Sequence, residues 1–168
     1  MELKLKNQKY DKSDDLDEKM FINTQIIKLR NFLEQENNLN KVINFYKQNT
    51  GLMDKFMNIL GSVGQNQNIN LPFCMFTKYY DNLKNISYIR NIKYKIEPNI
   101  KKENNNTIIR INLVELYESR QEELGIEIFN IFDERKFYPL QKNELCFMTN
   151  FAKLNVIKWL IDIGFYNL

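Results

Sequence analysis

The sequence predicts an α+β fold: an N-terminal helical cluster, a short antiparallel three-stranded sheet and a C-terminal core helix. Three observations predict it. Apolar residues recur every three or four positions over residues 16–60, alternate every second position in 86–97, 107–113 and 126–132, and return to helical spacing over 143–163. Helices and strands thus occupy separate stretches of the chain, which distinguishes α+β from alternating α/β.

Residues 1–15 are polar, mixed in charge and aperiodic, and are read as a flexible leader. From Leu16 the positions Met20, Ile26, Ile27, Leu29, Phe32 and Leu33 predict a helix to Gln35, punctuated by Asn37-Asn38. Leu39, Val42, Ile43 and Tyr46 predict a second helix that Thr50-Gly51 stops. Leu52, Met53, Phe56, Met57, Ile59 and Leu60 predict a third, closed by Gly61. The Gly, Asn and Pro content of 62–72 predicts a loop, and 73–85 reads as one further short helix.

Ile86, Tyr88, Ile92, Tyr94 and Ile96 alternate with polar residues and predict a strand that Pro98 ends. After a polar turn, Thr107, Ile109, Ile111 and Leu113 form the return arm of a hairpin. Over 115–123 strand end and short helix compete. Ile126, Ile128, Phe129, Ile131 and Phe132 predict a third strand buried on both faces. Asn143 is the expected N-cap of the last helix, whose stripe is Leu145, Met148, Ala152, Val156, Trp159 and Ile163, with Gly164 as a left-handed cap. A single domain is expected over 16–168, with a helical part to about residue 85 and the sheet plus last helix beyond it.

Leu154-Asn155-Val156-Ile157-Lys158-Trp159-Leu160-Ile161-Asp162-Ile163-Gly164 resembles the second helix of an ankyrin repeat. The resemblance covers these 11 of 168 residues. It lacks the family's Thr-Pro-Leu-His start, and no second copy lies about 33 residues upstream. One repeat cannot bury its own faces, so the helix is expected to be a core helix that packs on the sheet.

Hydrophobic residues make up 43% of the chain and charged residues 27%, the balance of a chain that folds. Asn, Lys and Ile are abundant and Ala152 is the single alanine, as AT-rich coding sequences produce. No apolar h-region follows Met1 and no run reaches the roughly 18 apolar residues of a membrane span, so no membrane contact and a cytoplasmic location are expected. Cys74 and Cys146 stand far apart in apolar settings and are expected as buried free thiols.

The chain has no histidine, which removes histidine-based nucleophilic and general-base catalysis and most zinc and iron sites. Its five glycines never reach the spacing of a phosphate-binding loop. Asp11, Asp14, Asp15 and Asp17 evoke a calcium loop, but Leu16 stands where the turn glycine belongs and Ile22 where the bidentate glutamate belongs. No cofactor and no metal are expected. Glu134-Arg135-Lys136 resembles the Glu-x-Lys fragment that restriction-type nucleases carry on a strand to bind magnesium. The upstream acidic ligand is missing, since Asn99 follows Pro98, and Glu115 or Glu118 are the acids left to replace it.

Net charge is only +3, yet residues 76–102 hold seven cations against two acids and 103–134 hold eight acids against two cations. The cations are Lys78, Lys84, Arg90, Lys93, Lys95, Lys101 and Lys102, interleaved with tyrosines in the manner of a nucleic-acid surface. On a strand, however, Tyr88 and Tyr94 share the apolar face while Lys93 and Lys95 lie opposite, which separates the stacking groups from the phosphate-pairing ones. The first functional expectation is therefore a small non-enzymatic protein that binds another protein, of the kind found among viral, phage or parasite accessory factors. Nucleic-acid binding through 78–102 is the alternative, and a carboxylate-based metal-dependent nuclease the third.

Overall fold

The computed structural model describes residues 15–72, 74–75, 99–103 and 106–167. They form a mixed fold of helices and antiparallel strands: α1 (Asp15–Glu34), α2 (Glu36–Tyr46), α3 (Leu52–Leu60), β1 (Asn68–Pro72), β2 (Asn99–Glu103), β3 (Asn106–Asn112), α4 (Leu113–Leu124), β4 (Tyr138–Lys142), β5 (Leu145–Thr149) and α5 (Phe151–Asp162). Between Asn40 and Lys41 the chain divides into two units. No helix among the described residues is long and apolar enough to cross a membrane.

In the first unit α1 runs where the apolar spacing predicts it, but its buried stripe is narrower. Ile26, Leu29 and Leu33 are buried, whereas Leu16, Met20 and Ile27 are 67%, 61% and 56% exposed. Gln35 interrupts the helical run: its backbone N–H donates to Phe32 O at 3.4 Å, its carbonyl accepts from Leu39 N at 3.0 Å, and its side chain accepts from Asn38 Nδ2 at 3.1 Å. The break therefore precedes Asn37-Asn38, which lie in the first turn of α2.

In the second unit Val42, Ile43 and Phe45 of α2 are buried. Thr50 closes the next turn, its hydroxyl reaching Asn44 O at 2.6 Å and Lys47 O at 2.8 Å. Gly51 then turns the chain at φ +66° into α3, which Gly61 ends. β1 lies within the stretch expected as a loop. Its alternating burial, with Ile69 and Leu71 inward, follows from pairing with β3 in the register Ile69↔Ile111 and Leu71↔Ile109. β3, which falls where the return arm over 107–113 is expected, is central, and β2, within the stretch expected as a polar turn, pairs on its other side; among the described residues the sheet, in the order β1-β3-β2, shares that one strand with the expected sheet. The expected strand 86–97 lies outside the described residues. So does most of the expected helix 73–85, of which Cys74 and Met75 are helical.

Over 113–124 the competition resolves to helix. Asn112 Oδ1 accepts from Glu115 N at 3.0 Å and caps α4, and Leu113, Leu116, Tyr117 and Leu124 form its buried face. The expected third strand at 126–132 is instead an irregular loop. Its backbone is paired by turns and side chains and not by a ladder: Phe129 N donates to Gly125 O at 3.0 Å, Gln121 Nε2 to Phe129 O at 2.9 Å, Asn155 Nδ2 to Ile128 O at 2.8 Å, and Ile131 N to the Tyr117 hydroxyl at 3.1 Å. Apolar alternation survives because turns place Ile128, Phe129 and Ile131 inward while Ile126 and Phe132 face outward.

The last helix starts at Phe151, not at 143. Asn150 is the N-cap, accepting from Lys153 N at 2.9 Å. Asn143 sits at φ +55° in the two-residue turn of the β4–β5 hairpin, and Leu145 and Met148 belong to β5, not to a helical stripe. Both cysteines are exposed, contrary to expectation, Cys146 because it shares the outward face of the hairpin with Met148. Gly164 follows α5 at φ +94°, where a Cβ would lie 3.0 Å from Pro72 Cδ and 3.2 Å from Met75 Sδ, so both conformation and space require glycine.

Rings fill the core of this unit. Phe129 meets Trp159 edge-on at 5.5 Å, Tyr117 lies 5.5 Å from Phe129, and Phe56 lies 5.8 Å from Tyr117 and 5.9 Å from Phe165. Truncating Trp159, which is 3% exposed, removes its contacts with both Phe129 and Tyr117. Trp159→Ala is expected to cost about 3–5 kcal/mol and to lower the thermal midpoint sharply or abolish cooperative unfolding. An unchanged melting curve would contradict the packing described.

Candidate interaction site

Of the seven cations singled out in the sequence, Lys78, Lys84, Arg90, Lys93 and Lys95 lie outside the described residues. Lys101 and Lys102 occupy adjacent positions of β2, opposite Ile108 and Thr107 of β3. The Glu134-Arg135-Lys136 triplet lies in the irregular segment before β4, with Lys136 at φ +44°, and not on a strand. Glu115 and Glu118 belong to α4. The strand setting that the nuclease resemblance requires is therefore absent from this segment.

What the second unit displays instead is the loop over 125–137. Phe132 is 58% exposed, Ile126 60% and Phe137 41%. The backbone that carries them is fixed at both ends and in the middle. Gly125 N closes α4 on Gln121 O at 2.7 Å, and Asn150 Nδ2 donates to Asp133 O at 2.9 Å and Arg135 O at 3.1 Å. Asp133 is buried, and its carboxylate accepts from Arg135 N at 2.8 Å, Arg135 Nε at 3.0 Å and Arg135 Nη2 at 2.8 Å. These bonds from Arg135, ahead of the opposing effect of burial, hold the Asp133 carboxyl below the ordinary carboxylate range.

Beside the loop, a half-open cleft of about 260 Å³ is lined by Phe45, Tyr46, Met53, Met57 and Ile131, with Lys47, Lys153 and Asp54 among its charged residues. Lys153 links cleft and loop, its Nζ lying 5.4 Å from the centre of the Phe137 ring. Tyr46 links the cleft to the hairpin: its ring stacks on Phe147 at 5.7 Å and its hydroxyl pairs with Thr149 Oγ1. Burial, only partly offset by that hydrogen bond, pushes the Tyr46 phenol up to about 12. Such a phenol stays neutral at physiological pH and acts as a hydrogen-bonding wall, not as a base. Among the described residues no group of three or more acids and cysteines is placed to hold a metal ion.

Sequence reasoning missed Phe137, Tyr46 and Lys153 as members of one neighbourhood, and Phe132 as an exposed side chain. The alternation over 126–132 pointed to a strand, and nothing in the spacing of Tyr46, Phe137 and Lys153 reveals that three separate segments meet. Comparison with protein-family models, with curated proteins and with solved structures finds no match.

Two titrations check this geometry. The Asp133 contribution to stability is complete above its unfolded value of 3.8 and is lost as pH falls through the lower folded value. Asp133→Asn is expected to cost about 2 kcal/mol near neutrality and to flatten the acid limb of the stability profile. At the other end, Tyr46 ionises near 10.0 in the unfolded chain and near 12 in the fold, so its contribution is present below pH 10 and lost towards pH 12. Tyr46→Phe should remove that alkaline component, measured as the denaturation midpoint against pH.

Proposed function

We propose that this chain acts by binding another protein through the loop over 125–137, without catalysis of its own. The observation that carries this reading is an exposed Ile126, Phe132 and Phe137 on a backbone tied down by Gln121, Asn150 and Asn155. Large aromatic side chains supply much of the energy of protein interfaces, and a loop already ordered loses less entropy on binding. The absence of histidine from the sequence supports a binding role over the commonest forms of acid–base chemistry.

Affinity capture from cells that express the chain naturally, read by mass spectrometry and nucleic-acid sequencing, tests this against the alternative of nucleic-acid binding. The expected result is a protein captured by the wild type, lost with Phe132→Ser combined with Phe137→Ser, and retained when Lys93, Lys95, Lys101 and Lys102 are replaced by Glu. Recovery of nucleic acid that disappears in the four-lysine variant would reject the proposal. Its affinity would then fall with salt at a log–log slope of roughly −0.7 per contact for single strands, or −0.9 for duplex.

A further inference from the structure

We propose that the outer edge of β5 pairs antiparallel with β5 of a second copy of this chain, joining two hairpins into one four-stranded sheet. The argument begins with Pro139. A proline has no N–H, so within a strand it fits only where that group would face away from the neighbour. Pro139 lies opposite Met148, and the two-residue turn makes Lys142↔Leu145 a hydrogen-bonded pair. Both facts set the same alternation: Tyr138, Leu140 and Lys142 bond to β5, while Pro139 and Gln141 face the outer edge of β4.

The same alternation on β5 directs the backbone of Leu145, Phe147 and Thr149 towards β4 and that of Cys146 and Met148 outward. Among the described residues this sheet has two strands only, and no described strand pairs with that edge. Leu145 is 41% and Met148 55% exposed, and Cys146 is exposed as well. Edges left open in folded proteins are ordinarily blunted by charge, proline or a bulge. β4 carries such a device in Pro139, and β2 carries Lys101, Lys102 and Glu103. β5, Leu-Cys-Phe-Met-Thr, has none of them.

One blocked edge and one open edge per hairpin select the occupant. A twofold pairing of β5 with itself satisfies both open edges in a single interface and leaves outside only the two β4 edges, which Pro139 protects. The assembly closes as a dimer and does not propagate. The registration that brings outward groups together sets Cys146 opposite Met148 of the second copy, with Phe147 on the twofold axis. Cys146 and Met148 N–H then donate to Met148 and Cys146 carbonyls of the other copy, and the reverse. No charged residue lies within the paired segment, so no like charges meet across the axis.

Light scattering after size exclusion, with the full chain under reducing conditions over a concentration series, should give twice the chain mass, falling to the single mass on dilution. Met148→Pro removes an outward N–H without touching the ladder to β4, and Cys146→Lys places a charge on the edge; each should yield the single mass with an unchanged melting transition. Hydrogen exchange on the wild type tests the same point without relying on a variant. Cys146 and Met148 amides should be protected at high concentration and lose that protection on dilution. A wild type monomeric throughout, a dimer that survives both substitutions, or unprotected amides at these two positions in a dimer would each overturn the proposal. None of these results bears on partner capture through Phe132 and Phe137.

Discussion

Burial of α5 on nearly every side is the constraint on which the second unit depends. Phe151, Ala152, Leu154, Val156, Ile157, Trp159, Leu160 and Ile161 are all buried, together with Asn155. A helix whose exposure to solvent is reduced to Lys153, Lys158 and Asp162 must be wrapped elsewhere, and the rest of the unit supplies the wrapping. From Trp159 a run of ring contacts passes through Phe129 and Tyr117 to Phe56, Phe165 and Phe45. Helix α4, helix α3, the end of α2 and the loop after α4 are thereby tied to one helix.

Wrapping a helix with an irregular loop creates buried backbone groups that no ladder can satisfy, and each left unpaired would cost about 1–3 kcal/mol. The chain meets this with polar side chains placed inside the core. Asn155 serves Ile128, Asn150 serves Asp133 and Arg135 as well as capping α5, Gln121 serves Phe129, and Tyr117 serves Ile131. Asp133 then organises its own turn with Arg135. The loop is consequently irregular in shape yet held at many points, and the same bonds that keep Ile128, Phe129 and Ile131 inside leave Phe132 and Phe137 presented to solvent.

Two surfaces of different character follow from this arrangement. The loop offers exposed aromatic side chains, and its Ile131 lines a cleft shared with Phe45, Lys47 and Lys153. Side-chain contacts would dominate recognition there. The β4–β5 hairpin offers backbone donors and acceptors along one edge, and recognition there rests on strand pairing. Tyr46 stands between them, lining the cleft while stacking on Phe147 of β5.

The amino-acid sequence by itself determined where most helices lie. The apolar period agrees for α1, α2 and α3, the stops agree at Thr50-Gly51 and Gly61, and Gly164 was legible as a left-handed cap because few other residues adopt φ +94°. β3 also lies where alternation over 107–113 predicts a strand, but tertiary structure decided the other strands and the surface. β1 is a strand because β3 lies beside it, although Asn68, Asn70 and Pro72 read locally as loop. The stretch 126–132 is a loop because side chains of α4 and α5 take its hydrogen bonds, although its alternation fits a strand. Leu145 and Met148 fit the helical stripe of α5 by spacing, yet Asn143 turns the chain and Asn150 starts the helix afresh. Short apolar runs satisfy either period, and what separates them is which backbone partner arrives from elsewhere in the chain; spacing along the sequence does not contain that information.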